Sequence, residues 1–211
     1  MDTDGVIAGY ARIADWFLAR RHAGEPPMER PYLEAVLAGV PAGGTVLDLG
    51  CGGGEPMAGF FCRHGRRVVG LDAAWPMLAA GRRRFPDMAL VAADMRRLPF
   101  RGRFEAVVAW DSFFHLPYED QRGMFPVFGE LVAPGGLLLF TTGPAHGRSD
   151  GVMDGVRFAH YSLSAEEYGA LLGRFGFTVA LHRVEDTACG GHTVWLARKT
   201  AQGRTNGAKD A

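Results

Sequence analysis

Apolar residues recur in two rhythms along this chain of 211 residues. Short unbroken apolar runs, several of them closed by aspartate or glycine, alternate with stretches whose apolar positions return every three or four residues. The first rhythm suits strands covered on both faces, and the second suits amphipathic helices. The runs predict strands at about 45–49, 67–71, 89–92, 104–110 and 136–142, with helices at about 56–64, 75–85 and 118–132 between them. Pro76 fits the first turn of its helix. A further helix over 164–175 starts at Ser164 with Glu167 three residues on, a capping-box pattern. Strands at 177–184 and 191–198 read as an antiparallel pair. Regular alternation of this kind predicts an α/β domain.

Two helices precede the first strand. Residues 5–22 place Ile7, Tyr10, Ile13, Ala14, Phe17 and Leu18 at helical spacing, and residues 29–39 do so with Leu33, Val36 and Leu37. Gly24, Pro26 and Pro27 separate them. Residues 1–40 are expected to lie over the site as a helical lid. Residues 143–163 break the rhythm with glycines, Pro144, His146, His160 and Tyr161, and are expected to form a flap over an acceptor. One domain over 1–199 is expected, followed by a disordered tail over 200–211.

The densest chemical signal is Thr-Val-Leu-Asp-Leu-Gly-Cys-Gly-Gly-Gly-Glu-Pro over 45–56. A glycine turn between a strand and a helix lets a ligand press on the backbone, at the crevice where open α/β sheets bind ligands. A dinucleotide fingerprint fits poorly, because Glu55 stands where its third glycine belongs. Asp48 would also repel a pyrophosphate, whereas it suits a ligand bearing an ammonium group, held directly or through loop amides and a water. A Walker loop is excluded, since no Gly-Lys-Ser/Thr follows. Asp72 ends the second strand, 22 residues past Gly50, where an acid accepts ribose hydroxyls. Asp94 ends the third and is placed to accept from an adenine amino group, with the Met95 amide donating to the ring.

Taken in order, these residues resemble the class I, Rossmann-like S-adenosylmethionine-dependent methyltransferases. Asp48, Gly50, Gly52 and Gly54 match the family's glycine motif, Asp72 its ribose acid and Asp94 its adenine-side acid. Phe104 to Pro117 match its fourth-strand motif, and Pro134, Gly135 and Gly136 its turn before strand five. The match covers roughly residues 40–142, with weaker support to 199. It implies a three-layer α-β-α sandwich whose seven-stranded sheet is mostly parallel with an antiparallel last strand. It implies S-adenosyl-L-methionine as cofactor and S-adenosyl-L-homocysteine as product, with Cys51, Ala73 and Met77 in the cofactor set. It says little about the acceptor.

Composition narrows the acceptor. Lysine plus arginine equals aspartate plus glutamate, 23 each, so no basic excess marks a nucleic-acid enzyme. The Asn/Asp-Pro-Pro-Tyr motif of enzymes that methylate nucleic-acid amino groups is replaced by Trp110-Asp111-Ser112-Phe113. A small molecule is the expected acceptor, through oxygen or nitrogen. The alternatives are a protein or nucleic-acid methyltransferase and a cofactor-binding sensor that transfers nothing. Three cysteines, Cys51, Cys62 and Cys189, show no disulfide or zinc pattern, and no metal is expected. With no run of ~20 apolar residues and an opening that holds Asp2 and Asp4, a cytoplasmic protein without a membrane partner is expected. Monomer and homodimer both remain compatible with this pattern.

Methyl transfer needs alignment first and a base second. The fourth-strand tip carries the candidates. His115 reads as a base or as a loop brace, and Asp111 as a polar contact to acceptor or cofactor or as a turn cap. Trp110 reads as a wall for the sulfonium cation or as a core aromatic. Ser112, His146, His160 and Tyr161 are candidate acceptor contacts, the last three also reading as loop or packing residues. Tyr10 and Trp16 read as cofactor contacts or as helix core. Glu55 reads as a contact to the cofactor's amino group or as a helix-dipole acid. Arg20, Arg21 and Arg30 read as carboxylate partners or as surface residues. His192 reads as structural or at the pocket rim.

Overall fold

The computed structural model describes residues 3–21 and 27–201. The helices are α1 (Thr3–Arg12), α2 (Ala14–Arg21), α3 (Arg30–Gly39), α4 (Met57–Arg63), α5 (Trp75–Arg84), α6 (Tyr118–Leu131) and α7 (Ala165–Arg174). The strands are β1 (Thr45–Leu49), β2 (Arg67–Asp72), β3 (Ala89–Ala92), β4 (Phe104–Ala109), β5 (Val132–Thr142), β6 (Gly147–Met153), β7 (Val156–Ser162), β8 (Phe177–Asp186) and β9 (His192–Lys199). Seven strands form one sheet in the order β3-β2-β1-β4-β5-β9-β8, and β9 runs antiparallel to both neighbours. The expected α/β sandwich with an antiparallel last strand is the fold observed.

Alternation along the central strands divides the core. Leu47, Leu49, Val107, Leu138 and Phe140 face α6 and α7, meeting Phe125, Phe128, Tyr168 and Leu172. Val46, Val108, Leu137 and Leu139 face α3 and α4, meeting Leu33, Val36, Phe60 and Phe61. Burial on both faces is why these strands carry no polar alternation. Ser164 Oγ accepts the Glu167 amide (3.1 Å), so the expected cap starts α7.

Three details depart from the sequence reading. The single helix expected over 5–22 is two, meeting at Ile13, which is buried against Val156 and Phe158 of β7. The Pro134-Gly135-Gly136 turn lies inside β5, where the β4–β5 register slips between Phe104 and Ala106. The 143–163 flap is mainly a hairpin, β6 paired antiparallel to β7, forming its own sheet under α1. The separator residues Gly24 and Pro26, and tail residues 202–211, lie outside the described residues. Among the described residues no helix is long and apolar enough to cross a membrane.

Candidate active site

Connections leave β1 toward β2 on one side, and β4 stands on the other, so the sheet order reverses between β1 and β4. Such a reversal opens a crevice at the strand tips. Here it holds a cleft between the tips and the overlying α1 and α2.

The glycine turn is tied to its neighbours by backbone bonds. The Gly50 and Cys51 amides donate to the Leu71 carbonyl at 2.7 and 3.0 Å. The Gly52 amide donates to Asp72 Oδ2 at 2.9 Å, and the Ala74 amide to Asp72 Oδ1 at 2.7 Å. Each Asp72 oxygen thus has one backbone donor and keeps acceptor capacity for hydroxyls. Burial raises the Asp72 pKa against the pull of these amides. Gly50 has φ 75°, and a Cβ there would stand 2.3 Å from Ser112 Cβ, so glycine lets the β1 and β4 tips meet. Cys51 lines the cleft with a buried thiol that burial holds well above its ordinary pKa. Its sulfur fills the space beside Gly70, whose added Cβ would lie 2.8 Å away.

Asp48 lines the cleft floor as a buried acid whose Oδ2 has no hydrogen-bond partner among the described residues. Burial first, and the Asp72 charge second, push its pKa up to about 7. Ala73, Met77 and Met95 line the same cleft. Asp94 does too, but its carboxylate is engaged by the Arg96 guanidinium at 2.6 to 3.1 Å. Burial opposes its ionisation, yet the Arg96 hydrogen bonds and charge hold its pKa below the usual range. Arg96 also reaches Asp120 at 3.0 Å and Asp4 of α1 at 3.8 Å.

Beyond β4 the chain turns through Asp111, with φ 49°, and the short helical turn 113–115. The Asp111 amide donates to Thr141 Oγ1 (2.9 Å), while its carboxylate meets Arg21 and His192. Trp110 is buried along the cleft, and its indole N–H has no partner among the described residues. Ser112 Oγ donates to the Leu49 carbonyl (2.6 Å), so that hydroxyl is committed to joining two strand tips. His115 is buried, with Nδ1 at 3.2 Å from the Ala159 carbonyl and Nε2 at 2.9 Å from Tyr10 Oη. The carbonyl can only accept, so Nδ1 carries the proton and Nε2 accepts from the Tyr10 hydroxyl. Burial, with the nearby His160 second, lowers the His115 pKa to about 4. An ordinary imidazole value needs solvent that this ring lacks, so the structure favours the brace reading of His115 over the base.

Five expected site residues stand off the cleft. Trp16 carries the Arg20 guanidinium over its ring at 4.2 Å and packs beside the Val6–Phe158 cluster, because its helical position faces away from the cleft. Gly54 is a packing position, since a Cβ there would meet the Phe85 ring at 2.8 Å. His146 is exposed and stacks on Tyr118. Tyr161 also meets Tyr118, edge to face, and receives Arg148 over its ring. His160 lies behind His115, rings 4.9 Å apart. The hairpin holds His160 and Tyr161 off the cleft, with His146 just before it, and a flap read from composition carries no such direction. Glu55 lines the cleft but pairs with Arg63 at 2.6 Å.

Phe17 and Leu18 of α2 line the cleft without having been singled out as site residues, beside Arg21, which was; Leu18 rests on the glycine turn, where a Cβ on Gly53 would lie 2.4 Å from Leu18 Cδ2. The helical spacing of Phe17 and Leu18 marked a buried face without saying what it buries.

Comparison with known proteins agrees with this geometry. Residues 46–136 match the family model described as a methyltransferase domain. Over 112 residues the chain is 32% identical to a ubiquinone biosynthesis O-methyltransferase of Acinetobacter baumannii, covering 50% of this chain and 46% of that protein. Over 190 residues it is 29% identical to the methyltransferase GfsG of Streptomyces halstedii, covering 83% of this chain and 66% of that one. The solved structure of S-adenosylmethionine-bound CalS10, an amino pentose methyltransferase from Micromonospora echinaspora, has a TM-score of 0.66 at 20% identity, with 87% of this chain and 95% of that chain covered. The chain thus spans about half the length of the first of these curated relatives and two thirds of the second. Residues 46–136 are thus similar to a methyltransferase domain, and the chain shares the Rossmann-like α/β fold of that solved structure.

Proposed function

We propose that this protein transfers the methyl group of S-adenosyl-L-methionine to an oxygen or nitrogen of a small molecule. One observation carries the reading. Asp72, half-buried at the β2 tip, is held by the Gly52 amide beside a glycine turn that faces an open cleft. The residues fit the cofactor in two further ways. Asp48 Oδ2 is a buried acceptor without a partner among the described residues, and Gly52 leaves open space where a side chain would stand. Asp72 would hold the ribose, the glycine turn and Asp48 the methionine end, and Met95 and Asp94 the adenine side, where Asp94 must share its oxygens with Arg96. When bound, the cofactor supplies an electrophilic methyl group on a sulfonium that leaves as a neutral thioether.

This chain's own contribution is then alignment and exclusion of water. Neutral His115 holds Tyr10, whose O–H is spent on Nε2, so the phenol oxygen can only accept from an acceptor's O–H or N–H. Such a bond orients the nucleophile's lone pair. A pKa lowered to about 4 makes His115 a weak base, which favours positioning over proton abstraction. The O-methyltransferase and amino-sugar names among the relatives support an oxygen or nitrogen acceptor.

Calorimetry with S-adenosylhomocysteine, followed by a metabolite screen for its release from S-adenosylmethionine, tests the reading. Micromolar binding and release with a small acceptor are expected. Binding without release from any acceptor would leave a sensor, and absent binding would end the cofactor assignment.

A further inference from the structure

A chain of alternating charges links the last strand of the sheet to the lid. His192 opens β9, with Nδ1 at 2.5 Å from the Cys189 carbonyl oxygen and Nε2 at 2.8 Å from Asp111 Oδ1. Both partners only accept, so both ring nitrogens must donate and the ring is an imidazolium. It lies against Trp110, ring centroids 5.2 Å apart, a contact that favours a cation. The other Asp111 oxygen, Oδ2, binds Arg21 Nη1 at 2.9 Å. Arg21 Nη2 stands 3.6 Å from Oε1 of the buried Glu29. Arg21 is the last residue of α2, whose Leu18 lies on the glycine turn.

We propose that His192 is a positioning residue: as an imidazolium it fixes Asp111, and through Arg21 it locks α2 closed over the cofactor cleft. The consequence for binding rests on the cofactor reading, whereas the lock itself does not. Removing the His192 proton puts a lone pair against either the Cys189 carbonyl or the Asp111 carboxylate, so one of its two hydrogen bonds turns repulsive. Asp111 then faces an uncharged ring, or Arg21 alone where the lone pair falls on Nε2, in a left-handed backbone conformation that holds only while its surroundings fix it.

The groups around the ring come from every element packed on it. Asp111 and Trp110 come from the β4 tip, Arg21 from α2, and the Cys189 carbonyl from the 187–189 turn. Asp186 pairs with His192 across β8–β9, but its carboxylate accepts from Tyr32 Oη at 2.5 Å. The Cys189 thiol is pushed up to about 12 by burial and adds no charge. Burial opposes the His192 charge, yet the Asp111 hydrogen bond and charge outweigh it and raise the pKa. A raised value means that the lock is complete below the ordinary histidine pKa near 6.5 and is lost as pH rises through the folded-state pKa.

Amide exchange in the ligand-free protein, corrected for intrinsic rates and followed in peptides from residues 3–21 at several pH values from 6 to 9, tests the lock directly. Protection of α2 is expected to fall with rising pH in the wild type. In His192→Gln it should start low and stay flat, with melting temperature and circular dichroism confirming the fold. Should that variant fail to fold, the wild-type profile still decides. Protection that is independent of pH, or unchanged by the substitution, overturns the proposal. Calorimetry with S-adenosylhomocysteine adds the consequence. His192→Gln should weaken binding about tenfold, and Arg21→Gln on top of it should add little, because both act through one linkage. Additive losses would show independent roles and sink the lock. No binding to the wild type at any pH would instead refute the cofactor reading, while the exchange result stands on its own.

Discussion

Tyr10 Oη and His115 Nε2 meet at 2.9 Å and join the first helix to the β4 tip across the cleft. The ring of Tyr10 also lies 4.7 Å from that of Phe158, so the phenol is held by helix, strand tip and hairpin together. The pair predicts a kinetic signature that separates positioning from proton abstraction. His115→Ala should lower kcat by about 10- to 100-fold while leaving cofactor affinity within about threefold, since a misplaced nucleophile costs rate before it costs binding. Tyr10→Phe should do the same. His115→Ala should leave the shape of the pH profile of kcat/KM between 5.5 and 7.5 unchanged, because burial keeps His115 neutral there. An inflection near 6.5 that vanishes in His115→Ala would make the ring a base after all.

Asp48 predicts a pH dependence of stability. Its folded-state pKa is raised to about 7 by burial and by Asp72, above the unfolded value near 3.9. Between these values the folded protein holds a proton that the unfolded chain has released. Stability from this group is therefore greatest at acid pH and declines until pH passes about 7. Asp48→Asn removes the charge at little change of shape. In the ligand-free protein it should raise the melting temperature by about 4 °C or more at pH 8 and by clearly less at pH 5. An equal shift at both pH values would show that the carboxyl is already ionised in the folded state.

Much of this geometry was legible in the sequence, and the parts that were not share a cause. Asp48, Gly50, Gly52 and Asp72 sit at strand tips, and a strand's end shows in the residues that end it. Their positions in the cleft follow from parallel pairing of neighbouring strands, which fixes Asp48 opposite Gly70 and leaves Asp72 two residues further on. His146, His160 and Tyr161 sit on or beside a hairpin, where a shift of one residue exchanges the two faces. Nothing in a glycine-rich stretch fixes that register. Trp16 and Leu18 lie two residues apart on one helix and so on different sides of it. Which side faces the cleft was decided by docking against β7 and the glycine turn. The Asp111–His192 contact spans 81 residues and joins two strand ends that do not pair with each other. No local pattern records it.

Asp72 carries the cofactor reading and is the most direct test of it. Asp72→Ala removes the acceptor for two backbone amides, those of Gly52 and Ala74, as well as any ribose contact. Affinity for S-adenosylhomocysteine should fall by 100-fold or more, at about 1.5–3 kcal/mol for each hydrogen bond to a charged group. The stabilising thermal shift at saturating ligand should disappear accordingly. Unchanged affinity would mean that the ligand is held elsewhere in the cleft.

Two glycines of one turn predict opposite failures. A Cβ on Gly50 would lie 2.3 Å from Ser112 Cβ, and its backbone is left-handed at φ 75°. Gly50→Ala must therefore push the β1 and β4 tips apart and strain the backbone together, at a cost of several kcal/mol in the ligand-free protein. Gly52 is also left-handed, at φ 54°, but a Cβ there meets nothing within 4 Å. Gly52→Ala should lose only about 1–2 kcal/mol of stability. Yet Gly52 lines the cleft, so the added methyl stands in space that a ligand pressed against the turn would need. The Gly52 variant should fold and melt near the wild type while losing most of its affinity for S-adenosylhomocysteine. The Gly50 variant should lose stability first and affinity as a consequence. Urea unfolding and calorimetry on both variants separate the cases, and a Gly52→Ala protein that binds normally would mean that the ligand does not lie against this turn.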